Sequence, residues 1–521
     1  MTGERGDELI ETDLINARIR FYGRGRTNKD ITRIILNEWR NGEDAQTIKD
    51  MLDAEKYFLV ENTTIAMKRR DLPGYGENRT LSNAKIPSAF LNESVTEKSN
   101  YAMGKPFSIN VESPLPETTD EAGNPVEDPQ AAIYQEEWTK YLTSERRKTI
   151  RRIGKQGAIN KGIGFAYVSI DQTGDLAIQH MESEQMYPEW SDNEHTILDV
   201  MVRDYIEVHY INGNREDVNK VEFWDREIVE RYIDKGQGAL ISDPDSPGPT
   251  AHMDQEGIGI SWGKAPFIAF KGNEDELPAL NPIRELVDSY DKLQSKMVDS
   301  IMDALEPVLA LEGYSPELGT LISQRAIMQN SRIVAIGTGG KAYYVQASPE
   351  IIATETALKI IEKNIRKAAQ MIMTTDSDTS SDTSGIALKF RFQGLDTYTD
   401  GLEAEFEVFM QQLKYFFDIW LEFRGIGTAD QWSQYKLIAT LNRDMMVNES
   451  EAIDDTVKLA ATGVSQETLD NFNPATESHE IEQQRREREA KAAMSDMSTE
   501  RELARLREEN ERLAREGDND E

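Results

Sequence analysis

A mainly helical α+β chain is what the sequence predicts, and three observations predict it. Two long stretches, 281–304 and 348–373, carry apolar residues at helical spacing and flank a small α/β insertion. A run of alternating, β-branched and aromatic segments lies between about 165 and 233. An aromatic-rich helical stretch, 402–423, follows a polar low-complexity gap.

Taken in chain order, residues 28–72 carry Ile31, Ile34, Ile35 and Trp39, then Ile48, Met51 and Leu52, three and four apart, and read as amphipathic helices. A second helix runs from Ala89 to Met103 and stops at Gly104, Lys105 and Pro106, the punctuation of a helix end. Residues 114–129, rich in Pro, Glu, Asp, Thr and Gly, read as a surface loop. A charged helix near Gln130 to Ile153 leads into strands at Phe165–Ile170, Leu176–His180, Ile197–Ile211 and Val221–Ile233, with a loop at 242–257.

Asn281 as N-cap and Pro282 at the first helical position open a helix whose stripe includes Ile283, Val287, Tyr290, Met297 and Ile301, until Pro307. An extended run (Val308–Leu311) and a short helix (Pro316–Met328) follow. Next comes a hairpin in which Arg332–Ile336 and Ala342–Gln346 flank Gly337, Thr338, Gly339 and Gly340, with Lys341 beside the turn. Ser348 and Pro349 open the second long helix. Then come Thr374, Thr375, Asp376, Ser377, Asp378, Thr379, Ser380, Ser381, Asp382, Thr383, Ser384 and Gly385, with no hydrophobic residue until Ile386, a composition that predicts a mobile loop. Near the end, Leu503, Leu506, Asn510 and Leu513 fit either a short coiled-coil seam or a solvated helix.

Composition excludes several classes. The 521 residues hold 94 acidic and 59 basic side chains, a formal charge of −35, 38% hydrophobic content and no cysteine. Disulfide frameworks, thiolate zinc sites and cysteine nucleophiles are therefore out. No stretch approaches the roughly 18 apolar residues a membrane helix needs, and Met1 to Asp7 lack a signal-peptide layout, so a soluble, intracellular chain of two or more domains is expected. Strong negative charge repels phosphate, so contact with nucleic acid would rest on local basic groups or on a purpose other than tight binding.

Catalytic motifs are offered and fail in context. Gly259, Ile260, Ser261, Trp262 and Gly263 match the G-x-S-x-G elbow, but Pro266 follows in what reads as a strand, and the only downstream histidine is His479 in the charged tail. The five histidines show no metal-ligand spacing, and the Gly154–Gly157 and Gly337–Lys341 clusters lack the spacing of a phosphate loop and read as turns. No cofactor and no enzymatic activity are expected.

Three stretches carry a family likeness. Asn83, Ala84, Lys85 and Ile86 precede a helix ending in Gly104, Lys105 and Pro106. Ser384, Gly385, Ile386, Ala387, Leu388 and Lys389 form a Ser-Gly-x-Ala-Leu-Lys signature. Gly463, Val464, Ser465, Gln466, Glu467 and Thr468 stand before Asn473, Pro474 and a Glu-rich helix. In this order, over roughly 50–490, the chain resembles the portal proteins of tailed bacteriophages, of the siphophage type. A coiled-coil adaptor or scaffold protein without a DNA channel is the alternative reading.

The resemblance implies a dodecameric ring at one capsid vertex, assembled in the host cytoplasm and built into the virion. Double-stranded DNA passes through it during packaging and ejection without sequence specificity and without a membrane. Terminase, a head-completion or connector protein, and the major capsid and scaffolding proteins are the implied partners. By position, 1–280 is the N-terminal region and wing, 281–304 the first stem helix, 305–347 the clip, 348–373 the second stem helix, 374–388 the tunnel loop, 389–441 a wing helix and 442–521 the crown. Twelve copies at −35 carry a charge on the order of −420, which suits a conduit that must not grip DNA. Asp288, Asp291, Asp299 and Asp303 fall on one stripe of the first stem helix, and Lys359, Lys363, Arg366 and Lys367 on one stripe of the second. The expectation is that these stripes pair between adjacent subunits.

Overall fold

The hydroxyl of Thr27 accepts the Asp30 N–H while the Asp30 carboxylate accepts the Thr27 N–H, and this capping box starts α1 (Asn28–Asn41). The computed structural model describes residues 27–69, 71–72, 76–77, 82–115, 118–119, 125–126, 128–211, 213–236, 238–255, 258–304, 308–312, 339, 341–345, 351–373, 385–443, 457–463, 469 and 486. The helical stretch expected over 28–72 resolves into α1, α2 (Ala45–Phe58) and a single turn at Thr63–Ala66. After α3 (Phe90–Met103) and β1 (Ser108–Glu112), the helix expected over 130–153 is broken at Leu142 and Thr143 into α4 (Pro129–Tyr141) and α5 (Ser144–Arg152). The Thr143 hydroxyl accepts the Arg146 N–H, so a second N-cap restarts the chain inside one charged run.

α5 passes directly into a π-helix, Ile153–Ile159. Gly154, Lys155 and Gly157 therefore lie in a helix and not in the turn expected of them. The reason is packing: a Cβ on Gly157 would sit 2.3 Å from the Gly164 Cα, so glycine lets the π-helix lie directly on the next strand.

That strand, β2 (Ile163–Ile170), is the centre of a three-stranded antiparallel sheet whose partners are β3 (Leu176–Met181) and the later β9 (Phe267–Lys271). Between them in sequence lies a larger antiparallel sheet, β8–β7–β6–β5–β4, made of β4 (Met186–Trp190), β5 (Leu198–Ile211), β6 (Asn214–Trp224), β7 (Ile228–Asp234) and β8 (Leu240–Ser242). The run expected as one strand over 221–233 is two, because the Asp225 carboxylate accepts the Glu227 and Ile228 N–H groups and turns the chain. β5 and β6 pair from Met201↔Trp224 to Ile211↔Asn214, while β4 covers β5 only over Leu198–Arg203 and β7 covers β6 only over Lys220–Trp224.

The first long helix, α6 (Arg284–Ala304), is followed by β10 (Val308–Glu312), which pairs antiparallel with β11 (Lys341–Val345) ahead of α7 (Ile351–Ala368). α8 (Gly385–Phe423), the short α9 (Ala429–Ser433) and β12 (Lys436–Thr440), paired with β1, complete the described elements. The Ser261 region holds no nucleophile elbow: its hydroxyl donates to the Glu227 carbonyl, and the adjacent Trp262 N–H donates to His252 Nδ1 at 3.3 Å.

By contacts the chain divides into two units, 1–375 with 392–444 and 376–391 with 445–521. The core of the first unit is aromatic. Trp138 stacks on Phe417 with centroids 3.9 Å apart, Tyr134 on Trp432 at 4.9 Å, and Phe406 and Phe409 surround Phe270. Its polar tie is equally buried: Asp418 accepts from Tyr134 and from Lys414, whose ammonium also reaches the Trp432 carbonyl at 2.9 Å.

Candidate functional site: the two stem-like helices and their strap

α6 begins later than its sequence suggests. Asn281 reaches the Asp50 carboxylate instead of capping, the turn at 279–283 carries Pro282, and the helix proper starts at Arg284, which pairs with Asp53. Ile283 and Val287 enter the core. The polar positions Asp288, Asp291, Ser295 and Asp299 recur three and four apart, so they share one face. All four are buried, and each is claimed by a segment more than two hundred residues earlier.

The claims are specific. Asp288 accepts the Tyr57 hydroxyl at 2.6 Å and the Thr64 hydroxyl at 2.7 Å. Asp291 accepts the Asn62 amide at 2.6 Å and the Ser88 N–H at 2.9 Å. Ser295 accepts the Ile86 N–H at 3.0 Å. Asp299 accepts the Ala84 N–H at 2.6 Å, the Ser82 hydroxyl at 2.9 Å and the Lys68 ammonium at 2.5 Å, and that ammonium also reaches the Ala84 carbonyl at 3.0 Å. Residues 82–88 belong to neither helix nor strand, so their backbone donors lack a strand partner and the helix face supplies the acceptors. The Asn83–Ile86 motif is thus a strap along α6, with Lys85 donating to the Ala66 carbonyl at 2.6 Å.

The two deeper carboxylates are tuned in opposite directions. Burial pushes the Asp291 carboxyl up, and its neutral partners Asn62 and Ser88 do not reverse that. Burial works the same way at Asp299, but hydrogen bonds from Lys68, Ala84 and Ser82 hold it below the usual carboxylate value.

Asp288, Asp291 and Asp299 are therefore not a stripe open to a neighbouring subunit, because they are buried and hydrogen-bonded within the chain. The Asp303 side chain lies outside the described residues. α7 shows the opposite face. Leu358 and Ile365 are buried, while Lys359, Lys363 and Lys367 are exposed, as are Ile352 and Ile360. Arg366 is half-buried, 3.3 Å from Glu362 and 3.6 Å from Glu93. α7 ends at Ala368, short of the expected Met373, in a Schellman arrangement: Gln370 takes a φ of 54°, and the Met371 N–H bonds the Arg366 carbonyl at 2.9 Å. Glutamine in that left-handed position gave no sequence signal, since glycine is the usual occupant.

Thr374 to Ser384 lie outside the described residues. Gly385 is the first residue of α8, so the stretch 385–388, expected to belong to the loop, is helical. In the stretch expected as the clip, Lys341 opens β11 and Gly339 turns with a φ of 88°; Arg332, Gly337 and Gly340 lie outside the described residues. The partner found for β11 is β10, and the expected strand Arg332–Ile336, the expected helix Pro316–Met328 and the tail leucines also lie outside the described residues.

Comparison with known proteins bears on this arrangement. The family model described as phage portal protein, SPP1 Gp6-like, matches residues 34–495. The chain is 24% identical over 452 residues to the portal protein of Bacillus phage SPP1, spanning 86% of this chain and 84% of that one. It is 23% identical over 433 residues to the portal protein of Clostridium phage phiCD119, spanning 80% and 87%. Proteins of this family are structural, non-enzymatic components of the phage capsid that form oligomers. No helix among the described residues is long and apolar enough to cross a membrane. With the match extending through wing-like sheet, strapped helix and clip-like strand pair alike, the chain belongs to the SPP1 Gp6-like family of phage portal proteins.

Proposed function

We propose that the chain assembles as a ring of twelve at one capsid vertex, the channel for entry and exit of double-stranded DNA and the docking site of terminase and a head-tail connector. The observation that carries this reading is the unit α6–β10–β11–α7. Two long helices pack on each other, and a two-stranded strip joins their far ends, which is the form of a stem bearing a clip. The exposed face of α7, where Ile352 and Ile360 alternate with Lys359, Lys363 and Lys367, is the surface offered to the next subunit. Major capsid and scaffolding proteins meet the outer wing. A coiled-coil adaptor accounts only for the charged C-terminal segment and leaves this helical unit without a purpose.

The segment 374–384 takes the tunnel-loop role. Its hydroxyls offer phosphates short-lived hydrogen bonds, and Asp376, Asp378 and Asp382 keep those contacts weak by repulsion. Deleting Ser377 to Asp382 is expected to leave ring assembly and terminase docking intact while lowering the yield of DNA-filled heads or letting packaged DNA leak. Heads that fill and retain DNA at the normal level would assign the segment to a plain linker.

A further inference from the structure

Residues 146–155 hold six basic side chains and no acidic one, in a chain where acids outnumber bases 94 to 59. Two of the six are occupied at the end of α4. Arg146 donates to the Tyr141 carbonyl at 2.9 Å and Arg147 to the Leu142 carbonyl at 3.1 Å, and their guanidinium groups lie over the Tyr141 and Phe107 rings. The other four, Lys148, Arg151, Arg152 and Lys155, recur three and four apart and so share one face of α5 and the π-helix. Lys148 and Arg152 are exposed, and Arg151 and Lys155 half-buried.

What holds these four is neutral. Arg151 donates to the Asn100 amide oxygen at 2.7 Å, Arg152 to Gln156 Oε1 at 2.7 Å and Lys155 to the Thr96 hydroxyl at 3.1 Å. Cations elsewhere take carboxylates: Lys161 has three glutamates within 3.4 Å, Arg40 two aspartates and Arg443 three acids. The one described carboxylate within 4.0 Å of the four is Glu182, 4.0 Å from Arg152 and already 3.0 Å from the Lys161 ammonium. Amides and a hydroxyl thus fix the direction of three cations without cancelling their charge. Burial, and then the like charge of Arg151, pull the Lys155 ammonium below its usual value. At about 0.1 M salt, charges more than about 10 Å away are largely screened, so this face acts as a basic surface despite the net −35.

We propose that Lys148, Arg151, Arg152 and Lys155 form a phosphate-binding face that holds the backbone of double-stranded DNA without reading its sequence. The choice of DNA as the polyanion rests on the conduit reading above, whereas the face itself is complete on one subunit and needs no ring. Chemistry favours phosphate over an acidic protein surface. Ile150, Ile153 and Ala158 are fully buried and Ile159 nearly so, so 144–159 exposes no apolar side chain. Contacts between proteins centre on buried aromatic and apolar anchors, whereas interfaces with nucleic acid are polar and positively charged. Size agrees as well: Lys148 to Lys155 spans about 10 Å along the helix, the run of about three phosphates on one strand.

Binding of two fluorescent duplexes of unrelated sequence to the full chain, measured between about 50 and 200 mM salt, tests this. The parent is expected to bind both alike, with log affinity falling as log salt rises. Each phosphate contact contributes roughly 0.9 to that slope, so Lys148→Gln is expected to lower it by about one, and Lys148→Gln with Arg151→Gln and Arg152→Gln by about two to three. Lys49→Gln, Arg226→Gln and Lys235→Gln together make the same change of charge at exposed positions elsewhere and are expected to leave the slope unchanged. A parent that binds neither duplex at the lowest salt, an unchanged slope in the variants of this face, or an equal loss in the control overturns the proposal. Lys148 has no hydrogen-bond or ion-pair partner among the described residues to lose, so its single variant reads the slope even where the triple variant fails to fold. Sedimentation of the same variants detects the other occupant: rings that fall apart at an unchanged slope would give the face to an acidic surface of the next subunit and overturn the DNA contact. A parent that sediments only as monomer removes the ring, while the slope still reads this face.

Discussion

α6 and α7 pack against each other and look alike in sequence, each with an apolar stripe and a row of like charges at helical spacing, yet their charged faces have opposite fates. Asp288, Asp291 and Asp299 of α6 are buried and hydrogen-bonded by residues 57–88, whereas three of the four basic residues of α7 face outward. A charged stripe at helical spacing therefore says which residues share a face and not what covers that face. The cover for α6 arrives from more than two hundred residues away, and it is a segment outside helix and strand whose N–H groups need acceptors. For α7 no such segment appears among the described residues, and Ile352, Ile360, Lys359, Lys363 and Lys367 stay exposed.

The largest test of this contrast is Asp299→Ala. It removes the carboxylate that accepts the Ala84 N–H, the Ser82 hydroxyl and the Lys68 ammonium, so a loss of about 3 kcal/mol or more in denaturant unfolding is expected. Lys363→Ala on the exposed face is expected to stay within about 0.5 kcal/mol of the parent in the same assay. Equal losses would erase the distinction between the helices.

A smaller effect sharpens it by pH. Asp299 is held below its ordinary value of 3.8, so its contribution is in full above that pH and disappears as pH falls through the lower folded value. Asp291 is raised above 3.8, so its ionised form opposes folding at neutral pH, and acidification between the folded value and 3.8 gives stability back. Asp291→Asn should accordingly remove a gain in melting temperature on mild acidification, and Asp299→Asn should flatten the fall at lower pH. Melting curves from neutral to acid pH that are unchanged in shape in both variants would contradict these assignments.

The smallest effect per molecule is Lys363→Glu. An exposed ion pair is worth only about 0.2 to 1 kcal/mol, so the unfolding of an isolated subunit should not move, while a ring repeats the change at every contact. Sedimentation should show the variant ring dissociating at lower salt than the parent. A ring of unaltered salt tolerance would place Lys363 away from the interface.

Much of the secondary structure was legible because it is periodic. The stem-like helices, the helical residues 402–423, the β2, β3 and β5 strands and the stop at Gly104 all follow from spacing or turn chemistry. The break at Leu142–Thr143 was hidden by strong helix formers on both sides, and the π-helix by glycines that also suit a turn. The start of α8 at Gly385 was masked by the polar residues before it, which moved the expected loop boundary to 388. The strap was half legible: Asn83 to Ile86 carried the family likeness, but nothing local in that tetrapeptide says that its backbone needs the carboxylates of α6. The acids themselves were found and their partners misassigned, because partner choice is a tertiary property.

The account's central claim is that α7 and not the acidic face of α6 meets the next subunit of a ring, and amide hydrogen exchange on assembled and dissociated chain measures it most directly. Protection across 351–368 is expected to rise on assembly, while 284–304 and the strap at 82–88 are protected equally in both states, because their hydrogen bonds are made within the chain. Protection that appears at 82–88 and 284–304 only on assembly, with 351–368 unchanged, would contradict it.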